Sequence, residues 1–209
     1  MAVSRDIDCR FLILRDWIDK NKLHIDILCK NLNAIKLIER EIDIDLGLGY
    51  LSGNPNSIDW RYLSGNPNAI GIIEKHLDKI IFSNINRNSK AIKILEKNTQ
   101  KIIFEHLCLN ENIEQFDEKL LLDNIKYYPY YWNILSYNND AIHLIEKHMN
   151  YVKVNWHGIS KNPNAINLLK ANMNKINWIG LSENTNLMAI KLLYDNQDKI
   201  NWSSLSYNK

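Results

Sequence analysis

An asparagine recurs along this chain at the end of a short pattern, and this recurrence constrains the fold more than any other feature. The pattern is an aromatic or aliphatic residue, two variable positions, Leu or Ile, a small residue, one variable position and Asn. It matches nine times, ending at Asn31, Asn54, Asn66, Asn88, Asn110, Asn138, Asn162, Asn184 and Asn208. The steps between these residues are 23, 12, 22, 22, 28, 24, 22 and 24, and most of them fall in the range of repeat folds.

The residues after each repeated asparagine predict the start of a helix. Asn162 can accept from the free N–H groups of a first turn, and Pro163 suits the first helical position because it lacks an N–H group. Ala165, Ile166, Leu168 and Leu169 then form one apolar stripe at helical spacing. We expect this second helix of the repeat to span roughly 8–10 residues. It should end at a position such as Asn172, Asn98 or Asn196 in the left-handed conformation.

A shorter helix precedes each repeated asparagine. Asn177 stands before Trp178 and can cap a helix of about two turns, on which Trp178 and Leu181 share one face. Helices this short do not persist alone in water, so each must dock on a neighbour. The sequence therefore predicts an all-α protein, an α-solenoid of about eight to nine two-helix repeats of 22–24 residues. The aromatic rings, including Trp156 and Trp202, are expected to be buried between layers.

The period also predicts the domain organisation. Residues 1–24 are expected to form an N-terminal capping helix, and residues 25–209 the repeat array. The array is irregular at 54–66, where we expect one helix to serve both as the second helix of one repeat and as the first helix of the next. It is irregular again at 110–138, where a longer helix over 111–123 and an aromatic link are expected. The sequence stops where another second helix would begin, which favours either a truncated array or a last face covered by a partner.

The repeat as a whole resembles a known group. The run from Leu63 to Phe82 and the run from Ile159 to Trp178 are similar to the short helical repeat found in many proteins of giant DNA viruses of amoebae, the mimivirus-like group. The resemblance covers about residues 25–208 and is specific as a repeat type. It implies helical repeats and a viral, cytoplasmic setting. The expected partner is an unidentified protein, and a host protein is one candidate. The resemblance implies no activity.

The composition argues against several classes of function. Lys and Arg number 26 and Asp and Glu 24, so the net charge of +2 gives no global attraction to nucleic acid or membrane. No long apolar run or signal peptide is visible, so we expect a soluble cytoplasmic protein. Cys29 and Cys108 occupy the small-residue position that is Ser in most repeats, which favours a structural role. Without a metal-ligand motif or a paired-carboxylate site, we expect no enzyme, metal or cofactor.

Lysines recur three positions before the aromatic residue of the repeat. Stacked repeats would align them into a stripe along one edge, which would suit a phosphate backbone and predicts nucleic-acid binding as the alternative function. A helix C-terminus also favours a nearby cation, which is the simpler explanation. The lysines are Lys79, Lys101, Lys153, Lys175 and Lys199.

Clustered tyrosines interrupt the array and are the candidate partner-binding residues: Tyr127, Tyr128, Tyr130 and Tyr131. Exposed aromatic clusters are typical anchors of protein interfaces. Alternatively, Trp132 is the core aromatic of its repeat and the tyrosines fill the irregular gap. The favoured function is a non-enzymatic protein–protein interaction or scaffold module. Self-association through the C-terminal end is a further possibility.

Overall fold

The computed structural model describes residues 23–35, 38 and 58–208, and these residues form only helices and the turns between them. The all-α prediction is thereby confirmed. The chain divides into two compact units, residues 1–94 and 95–209. The capping helix predicted over residues 1–24 falls almost entirely outside the described residues.

The helices are short, as the repeat length predicts. In the first unit they are α1 (Ile25–Leu28), α2 (Trp60–Gly65), α3 (Ile70–Lys75), α4 (Phe82–Ile85) and α5 (Ile92–Glu96). Helix α5 begins in the first unit and ends in the second. In the second unit they are α6 (Phe104–Leu107), α7 (Glu118–Ile125), α8 (Pro129–Leu135), α9 (Ile142–His148), α10 (Trp156–Lys161), α11 (Ile166–Ala171), α12 (Trp178–Ser182), α13 (Leu187–Tyr194) and α14 (Trp202–Ser206). No described helix is long and apolar enough to cross a membrane.

The predicted caps are confirmed. Asn155, Asn177 and Asn201 each accept backbone N–H groups at the start of α10, α12 and α14. The second helix of the repeat begins with a 3-10 turn, as at Pro163–Ala165 before α11. The side chain of Asn162 accepts from the backbone N–H of Asn164 at 2.9 Å, so the repeated asparagine caps this turn.

The repeated asparagines also bond to the preceding repeat, which the pattern did not predict. In the second unit, Asn184 Nδ2 donates to the carbonyls of Ser160 and Asn162, both at 2.9 Å. Asn162 Nδ2 donates to the carbonyl of Asn138, also at 2.9 Å. Asn208 Nδ2 donates to the carbonyl of Asn184 at 2.8 Å. These side chains thus tie each repeat to the repeat before, and we call this series the asparagine ladder.

The same ladder in the first unit shows which repeats are in contact. Asn88 Nδ2 donates to the carbonyls of Ser64 and Asn66 at 3.0 Å. Asn66 Nδ2 donates to Cys29 O at 3.0 Å and to Asn31 O at 3.5 Å, although 35 residues separate Asn66 from Asn31. The repeat ending at Asn66 therefore contacts the repeat ending at Asn31 directly. Asn54, the match between them in sequence, lies outside the described residues.

The small residue of the repeat forms a second link between repeats. The hydroxyl of Ser182 donates to the carbonyl of Trp178 at 2.8 Å and accepts the backbone N–H of Asn201 at 3.1 Å. Ser136 and Ser160 accept the N–H groups of Asn155 and Asn177 in the same way. These three serines are buried. A small hydroxyl side chain at this position therefore joins the first helices of consecutive repeats.

Glycine allows two first helices to approach more closely than a larger residue would permit. A Cβ atom placed on Gly180 would lie 2.5 Å from the carbonyl oxygen of His157, and one on Gly158 would lie 3.0 Å from that of Ser136. The variable position two residues after the aromatic is therefore constrained in these two repeats.

The predicted end of the second helix is wrong in its conformation. Asn172 has φ −134° and ψ 48°, and Asn196 has φ −138° and ψ 54°, so neither residue is left-handed. Their side chains donate instead to the carbonyls of Leu168 and Leu192 on the last turns of α11 and α13. A side-chain donor thus satisfies the carbonyl that a left-handed residue would satisfy with its backbone.

The irregular regions also differ from expectation. At Ile58 and Asp59 the backbone is not helical, and α2 begins only at Trp60, so a single helix through this region is wrong. The helix predicted over 111–123 is broken between a 3-10 turn, Ile113–Gln115, and α7, because the carboxylate of Asp117 caps α7 by accepting the N–H of Leu120 at 2.7 Å. Despite this insertion, Asn138 bonds back to Cys108 O and Asn110 O, both at 2.8 Å.

Burial of the aromatic rings is confirmed only in part. Trp60 and Trp132 are buried, whereas Trp156 and Trp178 are half-buried. Trp202 is 67% exposed, so its predicted burial is wrong. Lysines of the following repeats, Lys175 and Lys199, lie over the rings of Trp156 and Trp178.

Candidate functional site

Tyr127 and Tyr128 stand in the connection before α8 because proline fixes the start of that helix. Pro129 occupies its first turn. The residue before a proline avoids the helical region, and Tyr128 is extended, with φ −112° and ψ 98°. The helix then carries Tyr130, Tyr131 and Trp132. The link expected at 127–132 is therefore a turn followed by a helix.

Three of the four candidate tyrosines face solvent. Tyr127 is 80% exposed, Tyr128 58% and Tyr130 54%, while Tyr131 is half-buried. The ring centroid of Tyr131 lies 5.8 Å from that of Tyr128 and 5.7 Å from that of Tyr130. Trp132 is buried, as expected of the core aromatic of its repeat. The tyrosines therefore form one exposed patch, the tyrosine surface, rather than filling a gap in the core.

Contacts on two sides restrain the tyrosine surface. Tyr130 Oη donates to the carboxylate of Glu105 at 2.7 Å, and this hydrogen bond raises the pKa of the Tyr130 phenol. The ammonium of Lys126 lies 5.1 Å from the ring centroid of Tyr127. A ring already held in one orientation loses less side-chain entropy when a partner binds.

A groove of about 450 Å³ adjoins the tyrosine surface. It brings together Tyr130 and Lys153, which the sequence placed in two different candidate sets. The groove is lined by Pro129, Tyr130, Asn133, Lys153, Val154, Asn155 and Trp156. It combines aromatic walls with amide groups and one cation, which suits a polypeptide segment carrying both apolar and polar groups.

Sequence reasoning missed part of this surface. Tyr137 is 46% exposed, and its ring centroid lies 6.1 Å from that of His157. Asn155, which lines the groove, donates its side-chain N–H to Tyr137 Oη at 3.4 Å. Tyr137 and His157 occupy variable positions of successive repeats, so a single sequence gave no signal that they would meet.

The structure gives two of the five candidate lysines another role. Lys175 Nζ lies 5.2 Å from the ring centroid of Trp156, and Lys199 Nζ lies 4.8 Å from that of Trp178. Each lysine thus covers the tryptophan of the preceding repeat, where a cation is attracted to the ring face. Lys153 lines the groove, Lys101 is exposed at the end of a 3-10 turn, and Lys79 lies 3.9 Å from the carboxylate of Asp78.

Two histidines lie beside the buried tryptophans Trp60 and Trp132. His76 and His148 lie with ring centroids 5.6 and 5.9 Å from those of Trp60 and Trp132. His148 and Lys147 also bond to the carboxylate of Glu118, and these hydrogen bonds lower the pKa of that carboxyl. Among the described residues, no group of three or more His, Cys, Asp and Glu side chains could hold a metal ion.

Both described cysteines are buried thiols. Burial raises the pKa of Cys29 to about 11 and that of Cys108 to about 12. A thiol with so high a pKa is a poor nucleophile at neutral pH. The backbone N–H of Asp59 hydrogen bonds to the sulfur of Cys29, in the same way as the N–H groups that bond to the serines of other repeats.

Comparison of the chain with protein families, curated proteins and solved structures finds no match.

Proposed function

We propose that the chain is an α-solenoid of about eight to nine short two-helix repeats, which acts as a non-enzymatic module for protein–protein interaction. The asparagine ladder supports the stacking, since its contacts from Asn88, Asn138, Asn184 and Asn208 each join one repeat to the repeat before. A stack of this kind holds surface residues of successive repeats at fixed spacings, which is how repeat proteins build extended binding surfaces.

The tyrosine surface is the proposed binding site, and the observation that carries this proposal is the exposure of Tyr127, Tyr128 and Tyr130 beside the groove. Tyrosine buries a large area at a low entropic cost, and its hydroxyl stays compatible with water before binding. Asn133 and Asn155 in the groove would supply part of the polar rim. On the resemblance described above, the setting would be viral and cytoplasmic.

Capture from source cells tests this proposal. The parent chain and a variant with Tyr127→Ser and Tyr130→Ser are each used as bait, with Tyr151→Ser as the control because Tyr151 is 86% exposed and belongs to another repeat. We expect specific proteins to be retained by the parent and the control but lost from the double variant. The same proteins on all three baits would refute the assignment.

Salt separates this function from nucleic-acid binding through the lysines. Contacts with a phosphate backbone weaken steeply as salt rises, whereas an aromatic interface does not. We expect the captured proteins to remain bound at about 0.5 M salt and after nuclease treatment. Loss under both conditions would favour the lysines over the tyrosine surface.

A further inference from the structure

The link between α9 and α10 is two residues longer than the link between α11 and α12. Trp156 follows the first residue of α9, Ile142, by 14 positions, whereas Trp178 follows the first residue of α11, Ile166, by 12. Residues 153–155 of the longer link are neither helical nor part of a turn. The two extra residues therefore leave an irregular stretch of backbone directly before α10.

This stretch has main-chain groups without partners. In the shorter link, the N–H groups of Lys175 and Ile176 donate to carbonyls three residues earlier, at 2.9 and 3.4 Å. Within the part of the chain that the structure describes, the N–H groups of Lys153 and Val154 have no acceptor, and their carbonyls have no donor. Asn155, the next residue, is extended, with φ −95° and ψ 104°. The longer link therefore presents the groups with which an incoming extended chain pairs.

The unpaired groups lie at the groove beside the tyrosine surface, which Lys153 and Val154 line. Asn133 lines the same groove, and its Oδ1 accepts the side-chain N–H of Asn155 at 2.5 Å. This bond orients the amide of Asn133 so that its Nδ2 is left to donate, and the residue is exposed. The groove thus offers the amide of Asn133 and the ammonium of Lys153 as donors to an occupant that carries acceptors.

The charge of the groove also selects its occupant. The seven lining residues include Lys153 and no carboxylate. Lys153 is exposed and makes no ion pair with any described residue. Lys175 Nζ, which lies 5.2 Å from the ring centroid of Trp156, adds a second cation beside one wall. The carboxylate of Glu105 is already bound by the hydroxyl of Tyr130. A carboxylate on the occupant would therefore complement the charge of the groove.

We propose that this groove binds an extended, acidic segment of a partner protein. The main chain of the segment pairs with the backbone of the longer link, an Asp or Glu side chain contacts the ammonium of Lys153, and an apolar side chain packs against Tyr130 and Trp156. Single-stranded nucleic acid fits less well, because the single lysine among the lining residues would make one phosphate contact. The inference rests on the proposed function, since it specifies the form and charge of the partner for the same surface.

A phage-displayed library of random dodecapeptides tests the proposal. Peptides are selected on the parent chain after depletion on the variant with Tyr127→Ser and Tyr130→Ser. We expect the selected sequences to be enriched in Asp and Glu and to lack the apolar spacing of an amphipathic helix. Basic or helical sequences, or no peptides that distinguish the two proteins, would overturn the proposal.

Charge exchange then locates the acidic contact. The tightest peptide is synthesised with a fluorophore, and its binding is followed by anisotropy. Lys153→Glu should weaken binding about three- to tenfold, and replacing one acidic residue of the peptide by lysine should restore it. Lys170→Glu is the matched control, because Lys170 is also exposed but lies on α11 outside the groove, and it should bind the peptide as the parent does. Equal binding to the parent and to Lys153→Glu would refute the contact.

Methylation of the peptide backbone tests the main-chain pairing without changing the protein. Each amide nitrogen of the peptide is methylated in turn, which removes its N–H group. We expect at least one methylation to weaken binding about tenfold while the amides on either side tolerate it, because successive N–H groups of an extended chain point to opposite sides. Equal tolerance of every methylation would refute the pairing.

Capture from source cells separates this inference from the proposed function. A Lys153→Glu bait that keeps the proteins lost from the double tyrosine variant would preserve the protein-binding function and refute the acidic segment. Loss of those proteins from both baits supports the acidic segment. An oligothymidylate that binds the parent more tightly than the selected peptide, and is lost from Lys153→Glu, would assign the groove to nucleic acid and overturn the proposal.

Discussion

Asn184 offers the sharpest test of the asparagine ladder, because its side chain performs two tasks that substitutions can separate. Its Oδ1 accepts the backbone N–H of Asn186 at 2.9 Å and so holds the turn that leads to Asn186, the N-cap of α13. Its Nδ2 donates to the carbonyls of Ser160 and Asn162 in the preceding repeat. The side chain is fully buried. Alanine removes both functions, whereas aspartate keeps the acceptor and loses the donor.

The size of each effect follows from these contacts. Loss of this one local hydrogen bond should cost about 1 kcal/mol. Removing the donor from buried carbonyls adds about 1–2 kcal/mol, since the carbonyl of Asn162 keeps its bond to the N–H of Ala165. We therefore expect Asn184→Ala to lower the free energy of unfolding by about 2–3 kcal/mol. Asn184→Asp should cost at least about 1 kcal/mol more, because a carboxylate would face two carbonyl oxygens in a buried site.

Urea denaturation followed by far-UV circular dichroism measures these differences. Asn164→Ala is the matched control, because Asn164 makes the same type of bond, to the carbonyl of Asn139 at 2.9 Å, but in an exposed position. We expect that control to stay within about 0.5 kcal/mol of the parent. An aspartate oxygen can accept the N–H of Asn186 as the asparagine oxygen does. An Asn184→Asp protein as stable as the parent would therefore mean that this local bond is the whole function, and the ladder argument would be refuted.

Three further expectations concern the core. Gly180→Ala should destabilise the chain by about 1–3 kcal/mol because its Cβ would collide with a backbone carbonyl. In the same urea titration Gly65→Ala should be neutral or stabilising, because its Cβ would come no closer than 3.8 Å to another atom. Trp132→Ala should lower the free energy of unfolding by about 3–5 kcal/mol, and Trp178→Ala should lower it less because the ring of Trp178 is only half-buried. Equal losses of stability in the two variants, measured by calorimetry, would contradict this difference in burial. In a variant that keeps only Cys108, a disulfide reagent at about pH 8 should react at least about a hundredfold more slowly than in urea. Burial raises the pKa of the Cys108 thiol from 9.0 to about 12. The contribution of this thiol to stability is therefore complete below about pH 9 and is lost as the pH rises towards 12. Denaturation at a series of pH values will measure this loss.

The sequence was informative wherever one local interaction decides the structure. An asparagine before Pro163, or before Trp178, has a single favourable use in a helix start, and the structure has the predicted caps. The left-handed end predicted at Asn172 failed because a second local interaction competes there, namely a side-chain bond to the carbonyl of Leu168. Spacing alone does not distinguish these two ways of satisfying the last carbonyls.

Contacts between repeats were harder to predict, because the pattern records periodicity but not neighbours. Asn54 fits the pattern as well as Asn66 does, yet Asn66 bonds to the repeat of Asn31. The close approach at Gly180 and the meeting of Tyr137 with His157 likewise depend on positions that vary from repeat to repeat. For the tyrosine surface, the sequence predicted the cluster but left its exposure open. The extended residue before Pro129 accounts for the position of Tyr128 outside the helix.

One sequence signal for the ladder was nonetheless present in the choice of residue. Serine and aspartate cap helices about as well as asparagine, so a position that only caps should contain all three. In the described residues, the side chains that make these bonds to an earlier repeat all belong to asparagine: Asn66, Asn88, Asn138, Asn162, Asn184 and Asn208. The amide is the one short side chain with both an acceptor and two donors, and the structure uses the oxygen within the repeat and the nitrogen on the repeat before. The two tasks fix both the identity of this residue and the register of each repeat. The exposed variable positions of the repeat can therefore differ from one repeat to the next. Tyr127, Tyr130 and Tyr137 can occupy such positions without disturbing the contacts between repeats.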